Sequence, residues 1–309
     1  YFKPVLYSGL NSTAQNVTVG FQPDWVWIKT RNAAISNMLY DSNRGETKFL
    51  QADAVGAEGT GADSLTDFTP SDGTIGFSLG ADSSTTAVNN NGKTYVSWNW
   101  KANGGTATAT ISESGDNPAA VVQANPTAGF SLITYTGTGD SGTIAHGLSA
   151  VPTMMIIKNR DVADAWAVYH GANTAAPATD YLVLNTTAAT ADAATYWADT
   201  APTSSVFTVH DAHNVNADGE KYVAYVFADV EGYSKMGSYV GNGSADGTFV
   251  FTGFDVSFLM RKRTDSAGNW VITDSARDPD NVSDENLYAD LNYVEYSGTE
   301  TQFDFLSNG

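Results

Sequence analysis

Residues 25–29 of the chain read Trp-Val-Trp-Ile-Lys, a short apolar stretch closed by a lysine, and the chain repeats this arrangement twice more. The counterparts are Met154-Met155-Ile156-Ile157-Lys158 and Phe258-Leu259-Met260-Arg261-Lys262. A short run that is apolar at successive positions is typical of a strand buried on both faces. Each stretch therefore predicts an interior strand of a β-sandwich, and the rest of each repeat can be aligned on its lysine.

Other residues recur at nearly constant distances from the three lysines. Tyr7, Tyr135 and Tyr239, each in a Tyr-x-Gly sequence, stand 22, 23 and 23 residues before Lys29, Lys158 and Lys262. Asp41, His170 and Asp274 stand 12 residues after them. The span from Tyr7 to Tyr95 is 88 residues, and the span from Tyr135 to Tyr222 is 87. Such self-similarity indicates a tandem repeat, whose copies are long enough to bury cores of their own.

The repeat divides the chain into three copies. We predict copy one over residues 1–102, a linker over 103–128, copy two over 129–230 and an incomplete copy three over 231–309. The linker is predicted from Gly104-Gly105 and from two prolines, Pro118 and Pro126. The closing strand of copy three would fall near position 326, 87 residues after Tyr239. We expect that strand to come from residues beyond 309 or from a neighbouring subunit, because folded proteins cover open sheet edges.

Composition favours a folded β protein. The chain has 42% hydrophobic and 16% charged residues, with Gly, Thr, Ser, Asn and aromatic residues prominent. We predict an all-β fold of tandem β-sandwich modules of lectin-like or jelly-roll type. A surface helix is predicted at residues 284–295, where Leu287, Leu291 and Val294 have helical spacing.

The charge of the chain bears on its partners. Thirty-four acidic residues against 15 basic ones give a net charge of −19, which repels phosphate backbones and anionic lipid. We therefore expect neither nucleic acid nor a membrane as a partner. The absence of cysteine excludes disulfides and thiolate metal ligands.

Three motifs invite a chemical interpretation, and each also has a structural one. Gly76-Phe77-Ser78-Leu79-Gly80 matches the nucleophile elbow of esterases, but the polar residues that follow do not predict the required helix, so we expect a buried Phe77 and an outward Ser78. His210 and His213 could ligate a metal, but no third ligand is fixed, so we expect a solvated loop and no metal. The stretch at 278–284 is a weak calcium candidate, because Pro279 interrupts it. No cofactor is otherwise expected.

The repeated charged residues are predicted to be structural. Lys29 and Asp41, and their counterparts in the other copies, end or follow neighbouring strands. Pairing across strands near the rim of a sandwich would explain that spacing. A ligand site at the same positions is the alternative.

One aromatic pair has no counterpart in the other copies. Tyr196 and Trp197 lie between the acidic residues Asp192 and Asp199. Aromatic faces stack on the C–H surfaces of sugars, and carboxylates accept hydrogen bonds from their hydroxyls. These four residues are the candidate ligand-binding site, for a sugar; packing of the aromatic pair under a loop is the alternative. No residue is assigned a catalytic role.

Several phrases of the sequence resemble a repeat family of virion proteins of tailed phages, often from marine or cyanobacterial hosts. The phrases are Gly20-Phe21-Gln22-Pro23-Asp24, Leu39-Tyr40-Asp41-Ser42-Asn43-Arg44-Gly45, Tyr95-Val96-Ser97-Trp98-Asn99-Trp100 and Asn242-Gly243-Ser244-Ala245-Asp246-Gly247. The resemblance implies a tail fibre or structural protein of the phage particle, and it supplies no catalytic residues. Copy two departs from the pattern at His146-Gly147-Leu148 and at His170.

The functional expectation follows from the resemblance and the repeat. We expect a non-enzymatic structural protein of an extracellular phage particle, a tail fibre or a fibre-like decoration with a role in host-surface attachment. Its expected partners are other virion proteins, further copies of itself and a host-surface glycan. A carbohydrate-binding receptor-recognition module is the alternative, and a glycan hydrolase is a more distant one, because it would need two carboxylates facing across a cleft.

Overall fold

The computed structural model describes residues 1–10, 13–82, 86–244, 246–298 and 302–309. About 37% of the chain is strand and 3% is helix, arranged in several antiparallel sheets, which confirms the all-β class. Copy one contributes nine strands: β1 (Phe2–Ser8), β2 (Gln15–Thr18), β3 (Trp25–Thr30), β4 (Met38–Asp41), β5 (Lys48–Gln51), β6 (Gly59–Thr60), β7 (Leu65–Asp67), β8 (Gly76–Leu79) and β9 (Thr94–Trp100).

Copy one folds into two layers. Six strands form one sheet in the order β1-β9-β3-β4-β5-β6, and three form a second in the order β2-β8-β7. Val26 and Ile28 on β3 pack toward the second layer with Val17 and Phe77, while Trp25 lies in a different core. Successive residues of a strand point to opposite faces, so β3 is buried on both.

Copy two repeats this arrangement and extends it. Its elements are β10 (Ala109–Ile111), β11 (Ala120–Asn125), β12 (Phe130–Thr136), β13 (Gly142–Ala145), β14 (Met154–Asn159), β15 (Ala167–His170), β16 (Asp180–Val183), β17 (Ala191–Asp192), α1 (Ala194–Trp197), β18 (Val206–Val209), α2 (His213–Asn216) and β19 (Lys221–Phe227). Eight strands form one sheet in the order β10-β11-β12-β19-β14-β15-β16-β17, and β13 pairs with β18.

Residues 103–128, the predicted linker, hold two of these strands. β10 and β11 extend the sheet of copy two beyond β12. Ala120, Val122 and Ala124 alternate toward the core of copy two, so the segment is anchored by apolar burial despite its glycines and prolines.

Copy three contributes one sheet of four strands: β20 (Phe258–Lys262), β21 (Trp270–Asp274), β22 (Glu285–Tyr288) and β23 (Tyr296–Ser297), in that order. The predicted helix at 284–295 is therefore wrong. Leu287 lies on β22 and is buried against the sheets of the other copies, and pairing of β22 with β21 and β23 satisfies backbone groups that a helix would satisfy internally.

The strand registers of copies one and two agree pair by pair. Tyr7 lies opposite Tyr95 as Tyr135 lies opposite Tyr222, Trp25 lies opposite Trp100 as Met154 lies opposite Phe227, and Lys29 lies opposite Val96 as Lys158 lies opposite Val223. Strands β20 and β21 follow the same register, because Phe258 faces Asp274 as Trp25 faces Asp41. In strand order, β20 to β23 correspond to β3 to β6.

The largest sheet of each copy buries one face in a shared aromatic core. Trp25 of copy one stacks on Tyr225 of copy two, with ring centroids 4.1 Å apart, and Trp100 meets Phe258 of copy three edge-on at 5.6 Å. Trp270 and Leu287 close the same core from copy three. Large aromatic rings bury the most apolar area per residue, so this core dominates the cohesion between the copies.

Backbone hydrogen bonds close the three copies into a ring. The N–H groups of Glu58, Thr190 and Glu295 donate to the carbonyls of Arg160, Thr264 and Arg31, at 2.8, 2.9 and 2.7 Å. The three acceptors each stand two residues after the repeat lysine. Copy one thus bonds to copy two, copy two to copy three, and copy three back to copy one, through equivalent positions.

Hydrogen bonds from side chains join the three copies in the same cyclic arrangement. The indole N–H groups of Trp166 and Trp270 donate to the carbonyls of Gln51 and Val183, each at 2.9 Å, and the Asn37 side-chain amide donates to the Tyr288 carbonyl at 3.0 Å. Asn37, Trp166 and Trp270 each stand eight residues after a repeat lysine. The three junctions are therefore built alike.

Candidate functional site

The predicted sugar site does not form a stacking platform. Trp197 lies in α1 with 1% of its surface exposed, and its indole N–H donates to the Asp180 carbonyl at 3.0 Å. The ring of Tyr196 is stacked on Tyr181, with centroids 3.8 Å apart. Asp192 and Asp199 are exposed, but the aromatic faces between them are covered by the protein. In the described residues of copies one and three no helix corresponds to α1, which explains why the aromatic pair has no counterpart there.

The repeated charged residues bind neighbours that spacing did not predict. In the antiparallel pairing of β3 with β4, Asp41 faces Trp25 at the end of β3 away from Lys29, so the predicted Lys29–Asp41 pair is wrong. Lys29 instead donates to the carbonyls of Ile35 and Asn292, at 2.8 and 3.3 Å. Burial lowers the pKa of Lys29 to about 8.

Asp41 and Asp274 are acceptors at the junctions between copies. Each forms a buried ion pair with the arginine three residues later, Arg44 or Arg277. The Tyr225 hydroxyl of copy two donates to Asp41 at 2.7 Å. The Trp98 indole of copy one donates to Asp274 at 2.9 Å. The closing strand of one copy thus bonds to the acidic residue of the preceding copy in the ring.

The motifs with a chemical alternative have structural roles. Phe77 is buried, and the Ser78 hydroxyl donates to the Asn16 side-chain oxygen at 2.6 Å. One Asp278 carboxylate oxygen accepts the N–H of Asp284 at 2.6 Å, so it caps the loop that was a calcium candidate.

His213 Nδ1 lies 2.6 Å from the Asp164 carboxylate, which raises the pKa of this histidine. In the described part of the chain no three His, Asp or Glu side chains are grouped closely enough to hold a metal ion.

A pocket that sequence reasoning missed lies on copy three, beside its junction with copy one. It has a volume of about 330 Å³ and is lined by Ala34, Tyr288, Tyr293, Val294 and Tyr296. Tyr293 and Tyr296 are 57% and 52% exposed, and the rings of Tyr288 and Tyr293 meet edge-on at 6.5 Å. Exposed aromatic walls of this kind suit a ligand with apolar faces, such as a sugar ring.

Two carboxylates, one before the pocket tyrosines in the sequence and one among them, share one arginine. Arg31 binds Glu285 at 2.9 Å and Glu295 at 2.7 Å. Burial raises the pKa of Glu285, and the adjacent charge of Glu295 raises it further. Burial also opposes ionisation of Glu295, but hydrogen bonds and charge from Arg31 and Arg277 outweigh it and lower its pKa.

Carboxylates with pKa values pushed apart can form a catalytic pair, but the repeat favours a structural role here. Glu295 pairs with Arg31 as Glu58 pairs with Arg160 at the equivalent junction, where the N–O distance is 2.9 Å. No cluster of tyrosines lies near Glu58 in the sequence, as one does near Glu295. We therefore assign Glu295 to the junction and the tyrosines to the pocket.

A sequence signal for the pocket did exist. Three tyrosines occur within the nine residues 288–296, close to Glu285 and Glu295. The apolar residues among them have helical spacing, and that spacing drew the prediction toward a helix, whose faces would have separated the rings.

Fold and site together define an all-β protein of three copies closed around a common core, with an aromatic pocket on one of them. Over residues 1–309 the sequence matches the family described as a domain of unknown function, DUF7483, and the chain belongs to that family. No curated protein and no solved structure matches it. Among the residues that the structure describes, no helix has the length and apolarity that a membrane span requires.

Proposed function

We propose that this protein is a non-enzymatic structural component of a phage particle, a tail fibre or a fibre-like decoration of the head or tail. It assembles there with other virion proteins and with further copies of itself. The sequence resemblance described above supports the class of particle. The observation that carries the proposal is that the repeated polar residues bind one copy to another and so hold the three copies together.

Asp41, Asp274 and the glutamates at the junctions are the polar residues that a catalytic or metal site would have used. Glu58 and Glu295 pair instead with half-buried arginines of another copy. Asp41 and Asp274 each accept a hydrogen bond from another copy and form an ion pair with a buried arginine of their own copy. Breaking one buried member of such a pair costs several kcal/mol, roughly 3–5. A scaffold stabilised by such buried ion pairs and hydrogen bonds suits a structural protein that must stay folded outside the cell.

Location in the particle tests this proposal. Purified particles of a phage that encodes the protein should contain it by mass spectrometry, and cryo-electron microscopy should locate its three-copy shape on the tail or the head. Antibody against the protein should label intact particles in negative stain. Detection in infected cells together with its absence from washed particles would contradict the proposal.

A second candidate is recognition of a host-surface glycan through the pocket of Tyr288, Tyr293 and Tyr296. The exposed rings favour it, because their faces can stack on the C–H surfaces of a sugar. Arg31 and Glu285, which form an ion pair at the junction of copies one and three, add polar groups near the pocket residues in the sequence. In this function the scaffold displays the pocket, and binding contributes to attachment.

A glycan array followed by saturation-transfer NMR tests this second function. Tyr293→Ala and Tyr296→Ala should each weaken binding of any glycan found by about tenfold, the loss expected for one stacked ring. Tyr1→Ala is the matched control, since Tyr1 is 51% exposed and lies outside the pocket. Equal losses in all three variants would remove the pocket from consideration.

A further inference from the structure

Strand β20 occupies a different place in its sheet from its counterparts. β3 lies between β4 and β9, and β14 lies between β15 and β19. β20 pairs with β21 on one side, and among the described residues no strand lies on its other side. Copy three therefore has an open sheet edge at the position where copies one and two pair with their closing strands, β9 and β19.

The segment before β20 lacks the support that closing strands give elsewhere. Tyr7 stacks on Tyr95 at 4.8 Å and Tyr135 stacks on Tyr222 at 5.0 Å, in each case across the first and closing strands of a copy. Tyr239 is the counterpart of Tyr7 and Tyr135 by its distance from the repeat lysine. It is 51% exposed, and Val240 beside it is 85% exposed.

The residues of copy three that correspond to the second layer are exposed as well. Val17 of β2 is 3% exposed, whereas Val250, which stands 12 residues before its lysine as Val17 does, is 40% exposed. Phe249 and Phe251 on either side of Val250 are also exposed. We call the five residues Tyr239, Val240, Phe249, Val250 and Phe251 the copy-three apolar face. A concentration of large exposed apolar residues of this kind marks an interaction site.

The backbone next to this face already has the geometry of a complete copy. In copy one the N–H groups of Val19 and Gly20 both donate to the Ile75 carbonyl at 2.9 Å, just before β8. In copy three the N–H groups of Thr252 and Gly253 donate to the Asn308 carbonyl at 2.9 and 3.1 Å. The turn that leads into the second layer is thus formed, although the layer itself is not.

We propose that the open edge of β20 is a β-strand acceptor, and that its occupant is an extended polypeptide segment with the side-chain pattern of β9 and β19. Addition of a strand to a sheet edge supplies affinity through main-chain hydrogen bonds and specificity through alternate side chains. The occupant lies beside Tyr239 and Val240 of the copy-three apolar face, as β9 and β19 pair with the first strands of their own copies. This inference goes beyond the proposed function and does not depend on the kind of particle.

The pairing of β3 with β9 and of β14 with β19 specifies which side chain the occupant should carry at each position. Opposite the positions of Phe258, Met260 and Lys262, copies one and two place an aromatic ring, a Trp or Tyr, and a valine. Read in chain order, the pattern is Tyr-Val-x-(Trp or Tyr)-x-(Trp or Phe), as in residues 95–100 and 222–227. One-residue slippage would turn the aromatic side chains to the wrong face, so the register is narrowly defined.

A second recognition point lies on copy two. Trp98 donates to Asp274 and Tyr225 donates to Asp41, each across a junction. By the same order around the ring, the Trp or Tyr of the occupant is directed toward His170, the counterpart of both aspartates. His170 is half-buried, and its Nδ1 accepts the Ala172 N–H at 3.2 Å. The occupant therefore completes the third junction as well as the third sheet.

Binding of a synthetic peptide tests the acceptor. A labelled peptide of residues 221–227, Lys-Tyr-Val-Ala-Tyr-Val-Phe, with added terminal lysines for solubility, should bind saturably in a fluorescence anisotropy titration. Hydrogen exchange of the amides at 257–262 should slow by about tenfold or more when the peptide is bound. A scrambled peptide of the same composition should bind at least about tenfold more weakly.

A variant of β20 separates strand addition from unspecific apolar binding. The N–H groups of Arg31 and Arg160 donate to Thr94 on β9 and Lys221 on β19. By alternation the N–H groups of Trp27 and Ile156 face the same closing strands, so that of their counterpart Met260 points to the open edge. Met260→Pro removes this donor while sparing the side that faces β21, as edge prolines do. It should abolish peptide binding, whereas Met260→Ala, which keeps the donor, should retain it within about tenfold.

A peptide N-methylated at alternate residues gives the same test without altering the protein, in case Met260→Pro does not fold. It should fail to bind and should leave residues 257–262 unprotected. Equal binding of the native, scrambled and N-methylated peptides would overturn the proposal. So would a stable dimer by light scattering in which residues 257–262 are protected without peptide, because the occupant would then be a second copy of this chain.

Discussion

At the scale of single residues, the junctions depend on buried hydrogen bonds whose donor and acceptor come from different copies. The Tyr225 hydroxyl and Arg44 together satisfy Asp41, which is fully buried. Because a buried carboxylate that loses a donor pays a desolvation cost, the contribution of one hydroxyl is larger than that of an exposed hydrogen bond.

Tyr225→Phe should lower the free energy of unfolding by about 1.5–3 kcal/mol, the usual loss for a hydrogen bond to a charged group. The aromatic ring and its stacking on Trp25 remain, so the loss reports the hydroxyl alone. Urea denaturation followed by tryptophan fluorescence measures it. Tyr169→Phe is the control, since its ring is buried and, within the described residues, its hydroxyl makes no hydrogen bond; an equal loss there would contradict the argument.

Asp290 makes stability depend on pH. Its Oδ1 accepts the Trp270 N–H at 2.9 Å, while its buried Oδ2 has no hydrogen-bond partner among the described residues. Burial raises the pKa of Asp290 to about 6. The folded state therefore holds a proton that the unfolded state has released, and stability falls as pH rises from the unfolded value near 3.8 through 6.

Asp290→Asn should remove that loss, because Asn185 makes the equivalent bond to the Trp166 N–H in copy two. We expect a gain of about 1 kcal/mol at pH 7.5, moderated by solvent screening, and no gain at pH 4. Chemical denaturation at both pH values measures it. Asp255→Asn, at an exposed carboxylate, controls for the change in net charge; a gain of the same size at both pH values would show that the cause is not titration.

At the scale of elements, the two-layer copies depend on close approach of their strands. A Cβ on Gly76, the first residue of β8, would lie 1.9 Å from the Val17 carbonyl oxygen on β2. The backbones would have to separate, since neither atom belongs to a flexible side chain.

Gly76→Ala should destabilise the protein by about 1–3 kcal/mol, the usual cost of overpacking. Gly56→Ala is the matched control, because a Cβ there meets no atom within 4 Å and the residue does not have positive φ. Thermal unfolding by circular dichroism compares the two. A Gly76→Ala variant as stable as the Gly56→Ala variant would mean that β2 and β8 are not held together as the structure places them.

Some of these elements could be predicted from the sequence, and others could not. Alignment on Lys29, Lys158 and Lys262 predicted the interior strands, because burial on both faces leaves a local signal. The shared core could not be predicted, since Trp25 and Tyr225 meet through faces of different sheets and no spacing records that contact. The tyrosine pocket was missed because β22 is short, and four residues do not establish a period of two against a helical one.

At the scale of the whole molecule, the three copies share one core and should unfold together. A single calorimetric transition is expected, with the calorimetric and van't Hoff enthalpies equal, even though the chain is larger than most two-state domains. Hydrogen exchange should show the core strands of copies one and two opening at the same denaturant concentration. Two separated transitions would show that the junctions are weaker than the cores of the separate copies.

The likeness of the three junctions bears on how such a protein could have arisen. Each copy carries both halves of a junction, the donor at the position of Trp166 and the carbonyl at the position of Gln51, on different parts of its surface. A head-to-tail contact of this kind closes into a ring when its rotation is a third of a turn. The tandem chain is thus the covalent equivalent of a homotrimer: a single ancestral unit could have self-assembled through these contacts before duplication and fusion joined it to its neighbours, after which each junction was free to diverge on its own.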